Sequence, residues 1–114
     1  MKIGAVELKF AELIWRHSPI GSGDLVKLCE VELNWKKPTT YTVLRKLCER
    51  GIFQNIGGTV TPLISREEYF ALQSEEFVEE TFGGSLPGFI AAFTKRRNLT
   101  PEEADAIRKM IEEF

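Results

Sequence analysis

The residues of this chain best suited to chemistry stand together between positions 36 and 50. Lys36 and Lys37 lead into Pro38, Thr39, Thr40, Tyr41 and Thr42 follow, and Arg45 and Lys46 complete the group. Ammonium and guanidinium groups neutralise phosphates without reading sequence. A threonine can hydrogen-bond a base edge or touch a thymine methyl. The apolar residues among them, Val43, Leu44, Leu47 and Cys48, recur on one side at helical spacing. Thr39, Tyr41 or Thr42, Arg45, Lys46 and Glu49 fall on the other side. A helix with a buried back and a short polar, basic front is suited to a DNA groove.

No second group competes with it. The pairs Glu67-Glu68, Glu75-Glu76, Glu79-Glu80 and Glu102-Glu103 could suggest acid–base work, but no nucleophile–base pair or ligand set accompanies them. They read as solvated helix faces, and an enzyme is not expected. His17 is the one histidine and reads as a surface residue or a favourable charge near a helix end. Cys29 and Cys48 occupy apolar positions and read as reduced core thiols rather than a disulfide framework. With no Cys-x-x-Cys and a single histidine, neither a metal nor another cofactor is expected.

The elements that must position the basic front can be read along the chain. At 114 residues it is one small domain, or a small domain with an appendage. Residues 5–17 read as a first helix with Leu8, Ala11, Ile14 and Trp15 inward. Ser18-Pro19-Ile20-Gly21 breaks it. A second helix follows from about Ser22 to Leu33, with Leu25, Leu28, Cys29 and Leu33 inward and Asp24 in its first turn. Trp35 reads as a core anchor ahead of the third helix. That helix, about 38–50, starts at Pro38, where a missing N–H costs nothing, and stops at Gly51. Residues 52–56 and 59–64 then read as a two-stranded hairpin turned by Gly57-Gly58. Three helices closed by a hairpin make a winged helix-turn-helix, with the third helix as the recognition helix. The first domain is set at 1–64.

Residues 65–114 are helical again. Ser65 with Glu68, Ser85-Leu86-Pro87, and Thr100-Pro101-Glu102-Glu103 each mark a helix start. These three helices hold Tyr69, Phe70, Phe77, Phe82, Phe89, Phe93 and Phe114, with Ile90, Ile107, Met110 and Ile111 beside them. About fifty residues cannot bury so many large side chains alone, so they either pack on the winged helix or pair with a second copy, and pairing is the expectation. The fold class is thus mostly α with a small β-hairpin: an N-terminal winged helix and a C-terminal three-helix dimerisation region.

Charge divides along the same line. Residues 1–51 carry nine basic and six acidic side chains, a net of +3; residues 52–114 carry six and eleven, a net of −5. The front half suits a polyanion and the back half does something else. No apolar run approaches the ~18 residues of a membrane span. Glu7 and Glu12 interrupt the N-terminal apolar stretch, which reads against a secretory signal.

Five stretches in register carry a family resemblance. They are Glu7-Leu8 with Leu13-Ile14-Trp15, Trp35 with Thr39–Leu44 and Arg50-Gly51, Pro62–Tyr69, Phe77 with Phe82-Gly83-Gly84-Ser85, and Leu99–Glu103. Together they resemble the penicillinase-repressor family of winged-helix transcription factors (BlaI, MecI and CopY types) over nearly the whole chain. The resemblance implies a cytoplasmic homodimeric repressor on a palindromic double-stranded operator, without membrane insertion. It places Lys36, Lys37, Thr39, Thr40, Tyr41, Thr42, Arg45 and Lys46 at the DNA. It places Tyr69, Phe70, Phe77, Phe82, Phe89, Ile90, Phe93, Ile107, Met110 and Ile111 in the dimer.

The departures are specific. The family's wing usually carries basic residues, whereas residues 54–61 here carry no charge. In antibiotic-responsive members a membrane sensor peptidase system triggers cleavage at an Asn-Phe bond, and the matching pair here is Glu76-Phe77. Copper-responsive members end in a Cys-x-Cys cluster, which this chain lacks. Two other readings stay open: a winged helix used as a protein-interaction module, and a small-molecule-responsive regulator. Operator sequence, target genes and inducer are not readable from the chain.

Overall fold

A computed structural model describes residues 2–114. The chain forms two compact units, one ending at Ser74 and one from Glu75 to Phe114. The division falls inside a helix, α4, which spans Arg66–Phe82.

The first unit is built on three helices: α1 (Ala5–His17), α2 (Ser22–Leu33) and α3 (Lys37–Glu49). α1 opens with Glu7 reaching back to the Gly4 amide (3.0 Å), which satisfies one of the orphan donors of the first turn. Its buried residues are Phe10, Ala11, Leu13 and Ile14; Leu8 and Trp15, expected inward, are half-buried. α2 buries Leu25, Val26 and Cys29 and ends at Asn34, which takes the left-handed conformation (φ 55°) that asparagine tolerates. α3 carries Pro38 in its first turn and ends at Arg50, and Gly51 follows at φ 79°, where a Cβ would be strained.

The wing is β2 (Phe53–Ile56) paired antiparallel with β3 (Thr59–Pro62). Gly57 and Gly58 both have positive φ (58° and 83°), as a two-residue hairpin turn of matching twist requires. The sheet has a third strand that the sequence reading took for a loop. Ile20 and Gly21 form β1 and pair with Val60 and Thr59, giving the order β1-β3-β2. The Ser22 amide adds a bond to the Gly58 carbonyl (2.8 Å). The wing is thereby stitched to the start of α2.

All these elements converge on one core. Phe10, Ile14, Leu25, Leu47, Ile52, Phe53 and Val60 are wholly buried. Removing a Leu or Ile side chain from such a site costs about 2–5 kcal/mol, a large share of a small unit's stability. The Trp35 ring packs 5.3 Å from that of Phe10 in α1, at the edge of this core. Trp15 lies 5.4 Å from Phe53 and donates its indole N–H to the Ile64 carbonyl (3.1 Å).

The start of α4 belongs to this core. Tyr69 is 2% exposed, packs on Trp15 (5.6 Å), and its hydroxyl accepts from the Ile3 amide (3.3 Å). Phe70 packs edge-on to Tyr69 and under the Arg66 guanidinium (4.7 Å). This explains why the compact unit runs past Ile64.

The second unit contains the end of α4, α5 (Leu86–Arg96) and α6 (Pro101–Glu113). Gly83 and Gly84, at φ 58° and 83°, turn the chain out of α4. Ser85 caps α5 by accepting from the Gly88 amide (2.9 Å). Thr100 and Glu103 form a reciprocal capping box at α6, and Arg97 forks onto the Glu103 carboxylate with two bonds of 2.9 Å. Phe77, Phe82 and Phe89 form a triangle of edge-on rings with centroids 5.7–6.0 Å apart, and Phe93 extends it. Yet no residue from 75 to 114 is buried.

Candidate nucleic-acid interface

The front of α3 owes its position to its back. Leu44 and Leu47 are buried in the three-helix core, and Val43 and Cys48 are half-buried beside them. Opposite them Lys36, Lys37, Thr39, Thr42 and Arg45 are exposed. Lys36, Lys37 and Arg45 have no acidic partner among the described residues.

The four hydroxyl residues divide. Thr39 is exposed at the start of the helix. Thr42 is exposed and donates its hydroxyl to the Pro38 carbonyl (2.9 Å). Its oxygen keeps lone pairs free, so outward it offers an acceptor and a methyl. Tyr41 is half-buried, and its hydroxyl donates to Ser22 Oγ (3.2 Å). That bond joins α3 to the residue whose amide holds the wing tip.

Thr40 corrects the sequence reading. It is 1% exposed, so it cannot reach a groove. It lies four and seven residues before Leu44 and Leu47, on the same buried face. Its hydroxyl faces the thiol of Cys29, a weak partner, and has no nitrogen or oxygen partner among the described residues.

Lys46 is also drawn aside, since its ammonium pairs with Glu7 at 3.0 Å. The Gly4 amide, then Lys46, hold the Glu7 carboxyl below its ordinary value, so the pair persists at neutral pH. Arg50 donates to the Lys2 carbonyl (3.2 Å).

The sequence reading missed two neighbours. Ser22 supports Tyr41, and nothing in its local pattern marked more than a helix start. Asn55 of β2 lines a shallow hollow of about 270 Å³ with Tyr41, Leu44, Arg45 and Cys48. Asn55 and Ile56 are exposed at the wing tip. Burial pushes both thiols up, Cys29 and Cys48 alike, with Glu49 adding to the effect at Cys48. Protonated thiols are poor nucleophiles, as core residues should be.

The residues assigned to pairing also divide. Tyr69 and Phe70 belong to the core of the first unit, which corrects their assignment. Phe77, Phe93, Met110 and Ile111 are exposed in the second unit, and Phe82, Phe89, Ile90 and Ile107 are half-buried. The Glu76-Phe77 pair lies inside α4. Among the described residues no helix is long and apolar enough to cross a membrane.

Comparison with known proteins bears directly on this surface. The family model "Penicillinase repressor" matches residues 3–113. The penicillinase repressor of Bacillus licheniformis is 27% identical over 116 aligned positions, covering 98% of this chain and 91% of that protein. A solved structure, the solution structure of B. licheniformis BlaI in its monomeric form in complex with the blaP half-operator, superposes with a TM-score of 0.52 at 27% identity. It covers 60% of this chain and 89% of that one. With the family model matched over almost its full length, the chain belongs to the penicillinase repressor family, whose members are transcriptional regulators and not enzymes.

Proposed function

We propose that this protein is a DNA-binding transcriptional repressor that acts in the cytoplasm as a homodimer on a palindromic operator. The observation that carries the reading is the front of α3. Five exposed polar or basic side chains, three of them cations without acidic partners among the described residues, stand on α3 or its N-cap, and the other face of the helix is locked in the core. In a major groove Thr39 and Thr42 read base edges, and Lys36, Lys37 and Arg45 neutralise flanking phosphates. The relative solved on a half-operator supports the coarser reading, that the chain binds DNA.

Dimerisation rests on the second unit. Ile111 is 67% exposed, Met110 55% and Phe77 50%, so the unit has an apolar surface and no buried core of its own. A two-fold partner presenting the same surface covers it and delivers a second recognition helix to the DNA. In this arrangement the functional divide stays at 1–64 and 65–114, with Tyr69 and Phe70 at the start of α4 packed into the DNA-binding core. Cleavage at Glu76-Phe77 by a sensor peptidase system would sever that unit from the winged helix.

The test is a mobility shift on the DNA upstream of the protein's own gene. Binding should exceed that to a scrambled duplex by at least ~10³-fold. Equal affinity for the two duplexes rejects the repressor reading.

A further inference from the structure

The cations of α3 do not all face the same way. Lys36, Lys37 and Arg45 are unpaired among the described residues, while Lys46 and Arg50, toward the end of the helix, turn to the N-terminal segment. Lys46 Nζ lies 3.0 Å from Glu7 Oε2. Exposed ion pairs are usually weak, because both side chains must be ordered to form them. This one is unequal. The Glu7 side chain is only 20% exposed, and its other oxygen accepts from the Gly4 amide (3.0 Å), so the carboxylate is fixed before Lys46 arrives. Arg50 stands near enough to add attraction, and among the described residues no second acid forms an ion pair with Lys46.

We propose that Glu7 is a positioning residue that keeps Lys46 against α1 while the protein is on DNA, so that Lys46 braces the recognition helix instead of neutralising a phosphate. The proposal rests on α3 being the DNA-binding helix. Its consequence is specificity. A freed lysine would add affinity for any sequence alike and so narrow the ratio of operator to random DNA. Glu7 caps that indiscriminate attraction and leaves the phosphate contacts to Lys36, Lys37 and Arg45.

The readout is the number of counterions released, which packing alone does not alter. The full chain would be titrated against a labelled mixed-sequence B-form duplex by fluorescence anisotropy over a range of KCl. The slope of log K against log salt changes by about 0.9 for each phosphate contact. Arg45→Ala should make the slope shallower by about 0.9 per bound recognition helix, and Lys46→Ala should leave it at the wild-type value. Glu7→Gln still offers an oxygen to the Gly4 amide, so α1 keeps its start. It should steepen the slope by about 0.9 per bound recognition helix as Lys46 is released. The double variant Glu7→Gln/Lys46→Ala should return it to wild type. Thermal melts of each variant confirm folding. A slope that falls as far in Lys46→Ala as in Arg45→Ala overturns the proposal, and so does an unchanged slope in Glu7→Gln. If the wild-type protein shows no salt-dependent binding, the reading of α3 fails first and takes the proposal with it.

Discussion

Replacing Thr40 with valine separates the back of the recognition helix from its front. Thr40 is 1% exposed, and its hydroxyl has no nitrogen or oxygen partner among the described residues. Leaving a hydroxyl buried without a proper partner costs about 1–3 kcal/mol in proteins. The Cys29 thiol beside it returns part of that. Valine keeps the branched shape and has nearly the same helix propensity. Thr40→Val should therefore stabilise the protein by about 1 kcal/mol, which for a unit ending at Ser74 is a rise of roughly 4–8 °C in melting temperature. Operator affinity should stay within about 0.5 kcal/mol, or roughly twofold, because the side chain never reaches the surface. The assay is a thermal melt followed by circular dichroism, paired with anisotropy on operator DNA. Thr42→Ala is the contrast. It should leave the melt almost unchanged and cost about 1–3 kcal/mol of binding to the preferred site. A tenfold loss of operator affinity in Thr40→Val, with an unchanged melt, would refute the division of the four hydroxyl residues made from their burial.

Three further outcomes follow from other parts of the molecule. Gly58 sits at φ 83°, and a Cβ there would make only an ordinary van der Waals contact with Ser22 Oγ (3.8 Å), so Gly58→Ala should cost about 1 kcal/mol through backbone strain, visible as a lower melting temperature. Arg97 and the Thr100 amide hold the Glu103 carboxyl at about 2 against an ordinary 4.5. A depressed carboxylate stabilises above its ordinary value and loses that contribution as pH falls towards 2, so acid titration of α6 helicity should show a loss in that window that salt weakens and Glu103→Gln removes. Ile111→Glu places a charge in the apolar surface of the second unit. Sedimentation equilibrium should show the dimer weakened by roughly 3–6 kcal/mol, since a two-fold axis counts each lost side chain twice.

Much of this fold was legible because local signals agreed. Pro38 and Gly51 bracket α3, the stripe of Leu44 and Leu47 fixes its buried face, and Gly57-Gly58 marks the wing turn. The three later helix starts were legible from their caps, each of which forms. What escaped depends on distant partners. Ile20-Gly21 is too short to show a period and becomes a strand only because Val60 and Thr59 lie beside it. Tyr69 reads in sequence as one more aromatic of the pairing surface, yet Ile3 and Trp15 bury it. Thr40 is a different kind of miss. Its spacing from Leu44 and Leu47 puts it on the buried face, and only its polar side chain suggests an outward role. The pairing of Lys46 with Glu7 joins two helices, and no local pattern announces it. At the candidate interface the sequence located the helix, while its fold decided which side chains remain free to act.

The most direct test of a two-fold repressor with α3 in the groove is a hydroxyl-radical footprint on the DNA upstream of its gene. The account predicts two protected patches related by a dyad, on one face of the duplex and about one helical turn or a whole multiple of it apart. Both patches should fade together in the Ile111→Glu variant at concentrations where it is monomeric. A single asymmetric patch, or two patches that persist with a monomer, would contradict it.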